Sequence, residues 1–151
     1  MQIRPATEAD IHSVLTLYAQ LEPDRRINVP MSRAVELFRK IESYPNYHLY
    51  VAERDGAVVG TFSLAILDNL AHFAANTGLI EDVVVDEALR RTGIGREMMR
   101  YAMELCRQNA CYKVNLSSNL NREDAHRFYE SLGFQKHGYS FRLHMDLPSP
   151  G

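Results

Sequence analysis

The chain has 151 residues, enough for one domain that buries roughly two-thirds of its unfolded surface. Hydrophobic residues are 46%, charged residues 24% and the net charge −2, which argues against nucleic acid, a partner that calls for a basic patch. No apolar leader follows Met1-Gln2-Ile3-Arg4-Pro5 and no stretch nears the roughly 20 apolar residues of a membrane span, so a cytoplasmic protein without a membrane partner is expected.

Met1–Pro5 reads as a short edge strand. Thr7-Glu8-Ala9-Asp10 has the form of a capping box, in which a hydroxyl caps a helix start and an acid three residues on answers it. Ile11, Val14, Leu15, Tyr18 and Leu21 recur at helical spacing, which predicts a first helix ending near Leu21 and stopped by Pro23. Val35, Leu37, Phe38 and Ile41 predict a second helix, from Ser32 to before Pro45. Tyr47–Glu53 and Ala57–Leu67 are rich in β-formers and flank Arg54-Asp55-Gly56, a hairpin signal. Gly78–Asp86 reads as a strand whose continuous Val83-Val84-Val85 suits cover on both faces. A helix over Arg96–Gln108, a strand over Tyr112–Ser117, a helix over Asn121–Leu132 closed by Gly133, and a last strand over Gly138–Asp146 follow. The order βααβββαβαβ predicts a mixed sheet with helices on its faces, an α/β or α+β single domain over residues 1–147 with 148–151 as a loose tail.

Cys106 and Cys111 form no CxxC pair, and six scattered histidines do not complete a zinc set, so reduced thiols and no metal are expected. The chemistry concentrates after the valine run, in Asp86-Glu87-Ala88-Leu89-Arg90-Arg91-Thr92-Gly93-Ile94-Gly95-Arg96. A basic loop and two glycines stand there at a helix start, where unpaired N–H groups and a partial positive charge suit a phosphate. Glycine lets backbone approach an anion with no Cβ in the way, and Arg90, Arg91 and Arg96 add cations whose forks match phosphate oxygens. A P-loop would need GK[ST], and the dinucleotide fingerprint a third glycine where Met98 stands. What remains is R-x-x-G-x-G over Arg90–Gly95.

That segment resembles motif A of the GNAT (general-amine N-acetyltransferase) superfamily, whose pyrophosphate loop reads Q/R-x-x-G-x-G/A. Asn121-Arg122-Glu123-Asp124-Ala125-His126-Arg127-Phe128-Tyr129-Glu130-Ser131-Leu132-Gly133-Phe134 resembles motif B of the same superfamily, a helix with a Phe-Tyr pair that ends at Gly-Phe. Motif order and element order agree, so the resemblance covers nearly the whole chain. It implies acetyl-coenzyme A as cofactor and acetyl transfer to an amine. It implies that backbone groups of the Val83-Val84-Val85 strand pair with the pantetheine arm like an added strand. Backbone amides from Arg91 through Thr92, Gly93, Ile94 and Gly95 to Arg96, beside Arg90, would hold the pyrophosphate. Tyr129 would protonate the leaving thiolate, and Asn121 would contact the cofactor. Outside this context Tyr129 would read as a packing aromatic.

An alkylammonium has a pKa near 10 and must lose a proton before it attacks a thioester. Glu81 and Asp82 are the candidates to take it. Strand alternation places Glu81 with Val83 and Val85 and turns Asp82 away, unless the strand bulges as it does in the superfamily, and Glu81 is preferred. A structural ion pair, or binding of the amine without deprotonation, are the competing roles.

Two narrower resemblances bear on the acceptor. Ile80–Asp86 and Cys111-Tyr112-Lys113-Val114 resemble glucosamine-6-phosphate N-acetyltransferases, although Leu116-Ser117-Ser118-Asn119-Leu120 lacks the acid that family carries there. Asp124–Tyr129, Arg4-Pro5-Ala6-Thr7 and Ser140-Phe141-Arg142 are similar to aminoalkylphosphonate N-acetyltransferases. Arg25, Arg26 and Arg33 are candidates to bind an anionic group of the acceptor, or are solvated surface charges; His72 and Phe73 are candidate pocket residues, or incidental ones. Direct transfer in a ternary complex to a small-molecule amine is expected, since neither cysteine has a reactive setting. A protein N-terminal or lysine acetyltransferase and a non-catalytic acyl-coenzyme A sensor are the alternatives. A homodimer is expected by analogy with the superfamily.

Overall fold

A computed structural model describes residues 1–21 and 29–146. Pro23, Arg25 and Arg26 lie outside the described residues, as does the tail from 147 on. The chain divides into two compact units, Met1–Leu116 and Ser117–Gly151, and among the described residues all the strands lie in the first.

The first unit is a five-stranded sheet in chain order, β1 (Gln2–Pro5), β2 (Tyr47–Arg54), β3 (Ala57–Leu67), β4 (Asn76–Val85) and β5 (Cys111–Leu116). Neighbours are antiparallel except β4 and β5, which run parallel and so need a crossover, supplied by helix α3 (Ile94–Gln108). The β2–β3 hairpin turns on Asp55 at φ 53° and Gly56 at φ 78°, the two left-handed residues that a tight primed turn requires.

The expected capping box opens a 3-10 turn, Glu8–Asp10, that leads directly into helix α1 (Ile11–Tyr18): the Asp10 carboxylate accepts from the Thr7 backbone N–H at 2.8 Å and from its hydroxyl at 3.1 Å. Helix α2 (Met31–Glu42) starts within a residue of expectation. Both pack on the sheet face that carries Val51, where Ala6, Ile11, Val14, Ala34 and Phe38 form a core cluster. Helix α3 covers the other face with Met98, Met99, Ala102 and Cys106 fully or almost fully buried. Glycines allow its close approach: a Cβ at Gly60 would stand 2.6 Å from Met98 Sδ, and one at Gly78 would stand 2.5 Å from Cys106 Sγ.

Arg4 ties β1 down. Its guanidinium bonds both Asp10 oxygens, at 2.7 and 2.9 Å, and Glu53 Oε2 at 2.7 and 3.0 Å. The second unit holds helix α4 (Glu123–Ser131), after which Gly133 turns the chain at φ 95°. The strand expected over Gly138–Asp146 is not formed. Tyr139, Phe141, Leu143 and Met145 alternate as a strand would, yet they are 73–92% exposed, and an extended segment becomes a strand only when a neighbour takes its backbone hydrogen bonds.

Candidate active site

The site is built where β4 leaves its parallel neighbour. Pairing between β4 and β5 ends at Ile80 and Leu116, whereas β3 continues beside β4 to Val85. From Glu81 to Val85, no strand among the described residues pairs with β4 on that side, which leaves a backbone edge along which an extended polar chain can lie.

A bulge sits at the start of that edge. Ser63 pairs with Glu81 and Thr61 with Val84, so one residue of β3, Phe62, stands opposite two of β4, Asp82 and Val83. The extra residue is Asp82, held in the left-handed region at φ 52°. The bulge corrects the expected facing: Glu81 shares its face with Val84 and Thr61, not with Val83 and Val85. That is the face on which α1 packs, opposite the one where Gly60 meets α3. Cover of the valines is also partial, with Val84 buried and Val83 and Val85 half-buried, as befits an open edge.

Beyond Val85 the loop to α3 is stiffened locally. The Asp86 carboxylate accepts from the Ala88 N–H at 3.0 Å, and the Glu87 N–H donates to Gln20 Oε1 at 3.0 Å. The Thr92 hydroxyl donates to the Leu89 carbonyl at 2.6 Å, so its side chain closes the turn and leaves ligand contact to its backbone. Arg91 at φ 65° and Gly93 at φ 90° curl the chain into α3. A Cβ on Gly93 would meet nothing within 4 Å, so glycine is required there by the backbone angle, and the space in front stays clear.

Among the described residues no side chain caps α3, and the Glu97 N–H to the Gly93 carbonyl, at 3.1 Å, is its first intrahelical bond. The amides of Ile94, Gly95 and Arg96 therefore face the helix start, with Ile94 locked in the core and Arg90 exposed beside them. Open strand edge, uncapped helix start and clear space are what a long molecule with a diphosphate would need, so the residues of this unit fit coenzyme A.

Asn121 and Tyr129 belong to the second unit. Tyr129, on α4, meets Phe134 edge-on at 5.8 Å and Phe128 at 5.2 Å. Burial pushes its phenol above the ordinary value while Arg122 pulls it part of the way back, so it carries its proton at neutral pH. Asn121 is exposed. Ser118 Oγ, which had no signal in the sequence, is buried without a hydrogen-bond partner among the described residues. Cys106 is buried and its thiol is pushed up to about 12, while Cys111 is half-buried and raised by the same desolvation, so neither is an activated nucleophile.

An acetyltransferase fold with a strand splay and a helix-start anion cradle is the class that this geometry defines. The profile of the acetyltransferase (GNAT) family matches residues 13–134. A glucosamine 6-phosphate N-acetyltransferase of Trypanosoma brucei brucei is 31% identical over 95% of both chains. An aminoalkylphosphonate N-acetyltransferase of Salmonella typhimurium is 33% identical over 93% of this chain and 88% of its own. The crystal structure of glucosamine-6-phosphate N-acetyltransferase from Arabidopsis thaliana superimposes with a TM-score of 0.86 at 26% identity, over 96% of this chain and 98% of that one. The chain belongs to the acetyltransferase (GNAT) family and is an N-acetyltransferase, in a family whose acetyl donor is acetyl-coenzyme A.

Proposed function

We propose that the protein acetylates the primary amine of a small molecule by direct transfer in a ternary complex, with residues 1–147 acting as one catalytic domain. The observation that carries this reading is the open β4 edge running towards the uncapped start of α3. In this scheme the backbone of Val83, Val84 and Val85 holds the pantetheine arm, and the amides from Arg91 to Arg96 hold the pyrophosphate with Arg90 beside them. Asn121 adds a cofactor contact. Acetyl-coenzyme A supplies the thioester. Glu81 takes the proton that the ammonium must lose, directly or through water, and Tyr129 gives its proton to the departing thiolate. Its raised pKa supports that role, because a proton donor must hold its proton until sulfur needs it.

The relatives named for glucosamine 6-phosphate and for aminoalkylphosphonates support a small amine bearing an anionic group. The proposed setting is the cytoplasm, where both thiols stay reduced. The proposed assembly is a homodimer, supported by the exposed alternating residues 139–145.

Thiol release from acetyl-coenzyme A across amino sugar phosphates, aminoalkylphosphonates, amino acids, polyamines and short peptides tests the reading. Turnover should appear with one small-molecule class and drop about 100-fold in kcat in Tyr129→Phe, with coenzyme A affinity unchanged. Turnover with peptides alone would favour a protein acetyltransferase, and tight binding without turnover a sensor.

A further inference from the structure

The turn by which β4 enters the loop to α3 is held by hydrogen bonds of unequal reach. Four consecutive N–H groups are paired across it. Asp86 donates to the Val59 carbonyl at 2.9 Å, and Glu87 to Gln20 Oε1 at 3.0 Å. Ala88 donates to the Asp86 carboxylate at 3.0 Å, and Leu89 to the Asp86 carbonyl at 2.9 Å. The last two shape the turn from within, and the first roots it on β3. Gln20 is different. It stands 67 residues away in the chain, just past the end of α1, and reaches the turn from outside the sheet.

The polarity of this bond is fixed by its partner. A backbone N–H can only donate, so the glutamine presents its carbonyl oxygen. Gln20 is itself anchored: α1 packs on β3 and β4, and the Gln20 N–H donates to the Leu17 carbonyl at 3.0 Å. The bond is exposed, and water would pair the Glu87 N–H nearly as well, so folding gains little from it. Its effect falls on the chain that follows. The 3-10 turn Glu87–Leu89 ends where the Leu89 carbonyl accepts from the Thr92 hydroxyl at 2.6 Å, and Gly93 then opens α3. Holding Glu87 at one end, with Ile94 locked in the core at the other, fixes the stretch from Arg90 to Gly93 between two anchors. A loop set before its ligand arrives spares the binding step the entropy of ordering it.

We propose that Gln20 is a positioning residue for the donor, its side-chain carbonyl pre-setting, through the Glu87 N–H, the loop that receives the diphosphate of coenzyme A. This rests on the acetyltransferase reading and deepens its donor site. Gln20 acts through the Glu87 backbone and leaves the binding of the pantetheine arm unchanged.

Calorimetric titration with coenzyme A, and with pantetheine, which lacks the diphosphate, tests this. The wild type should bind coenzyme A the more tightly. Gln20→Met keeps the length of the side chain and removes the acceptor. It should weaken coenzyme A about fivefold and leave pantetheine unchanged. The same bond can be cut from its other end. Asp86 lies at ψ 126° and Glu87 at the first position of the turn, where proline is tolerated, so Glu87→Pro differs from Glu87→Ala chiefly by the lost N–H. Coenzyme A should bind Glu87→Pro about fivefold less tightly than Glu87→Ala, and Gln20→Met should weaken it further only in the alanine background. The proline–alanine comparison also decides the matter if Gln20→Met does not fold. No loss with folded Gln20→Met, no difference between Glu87→Pro and Glu87→Ala, or an equal loss for pantetheine overturns the proposal. Any of these beside a wild-type preference for coenzyme A leaves the acetyltransferase reading standing. A wild type that binds coenzyme A no more tightly than pantetheine removes the diphosphate cradle itself, and this inference with it.

Discussion

Arg4 and Asp10 show how much one buried ion pair organises. Asp10 is 6% exposed, and its carboxylate serves both the capping box and the Arg4 fork that reaches Glu53. Arg4, with the Thr7 bonds adding to it, holds the Asp10 carboxyl below the usual range, so the folded state releases this proton more readily than the unfolded chain does. The stabilisation is therefore complete above the unfolded pKa of about 4 and fades as pH falls through the lower folded value. Asp10→Asn should cost about 2 kcal/mol at pH 7, and the gap from wild type should narrow below about pH 4. Urea melts at both pH values check this; a gap that stays constant would assign the cost to packing alone. The capping box is legible because it is local, a hydroxyl and an acid three residues apart. The Arg4 fork is not, since Glu53 is brought to it only by pairing between β1 and β2.

At the scale of elements, the hairpin, the helix after Gly93-Ile94-Gly95 and the β4 valines could all be read from short stretches, because turn chemistry and helix starts depend on adjacent residues. The bulge could not. One extra residue changes neither composition nor the look of a valine run, yet it reversed the expected facing of Glu81. Asp82 in the left-handed region costs about 1 kcal/mol that glycine would not incur. Asp82→Gly should therefore raise Tm by about 2–4 °C. Thermal melts would show it, and a lowered Tm would mean that the aspartate side chain stabilises the bulge more than its backbone strains it.

For the molecule as a whole, the clearest failure of sequence reading is the last strand. Alternation over residues 139–145 shows that the segment can be a strand, but a strand also needs a partner, and no local pattern reveals one. If the homodimer forms through this segment, Phe141→Asp with Leu143→Asp should convert the protein to a monomer in analytical ultracentrifugation; an unchanged sedimentation coefficient would place the interface elsewhere. The order of the sheet has a kinetic consequence. Strand order follows chain order, so each pairing from β2 to β4 joins neighbours in the chain across a short loop, whereas β5 must wait for the whole of α3 to cross over. Early closure is cheap for short loops and dearer for long ones. The meander should thus be in place before β5 docks, and the gap between β4 and β5, where the donor is proposed to lie, should be the last part of the sheet to acquire its shape. On a ribosome, the emerging chain would complete its scaffold well before it could bind a substrate.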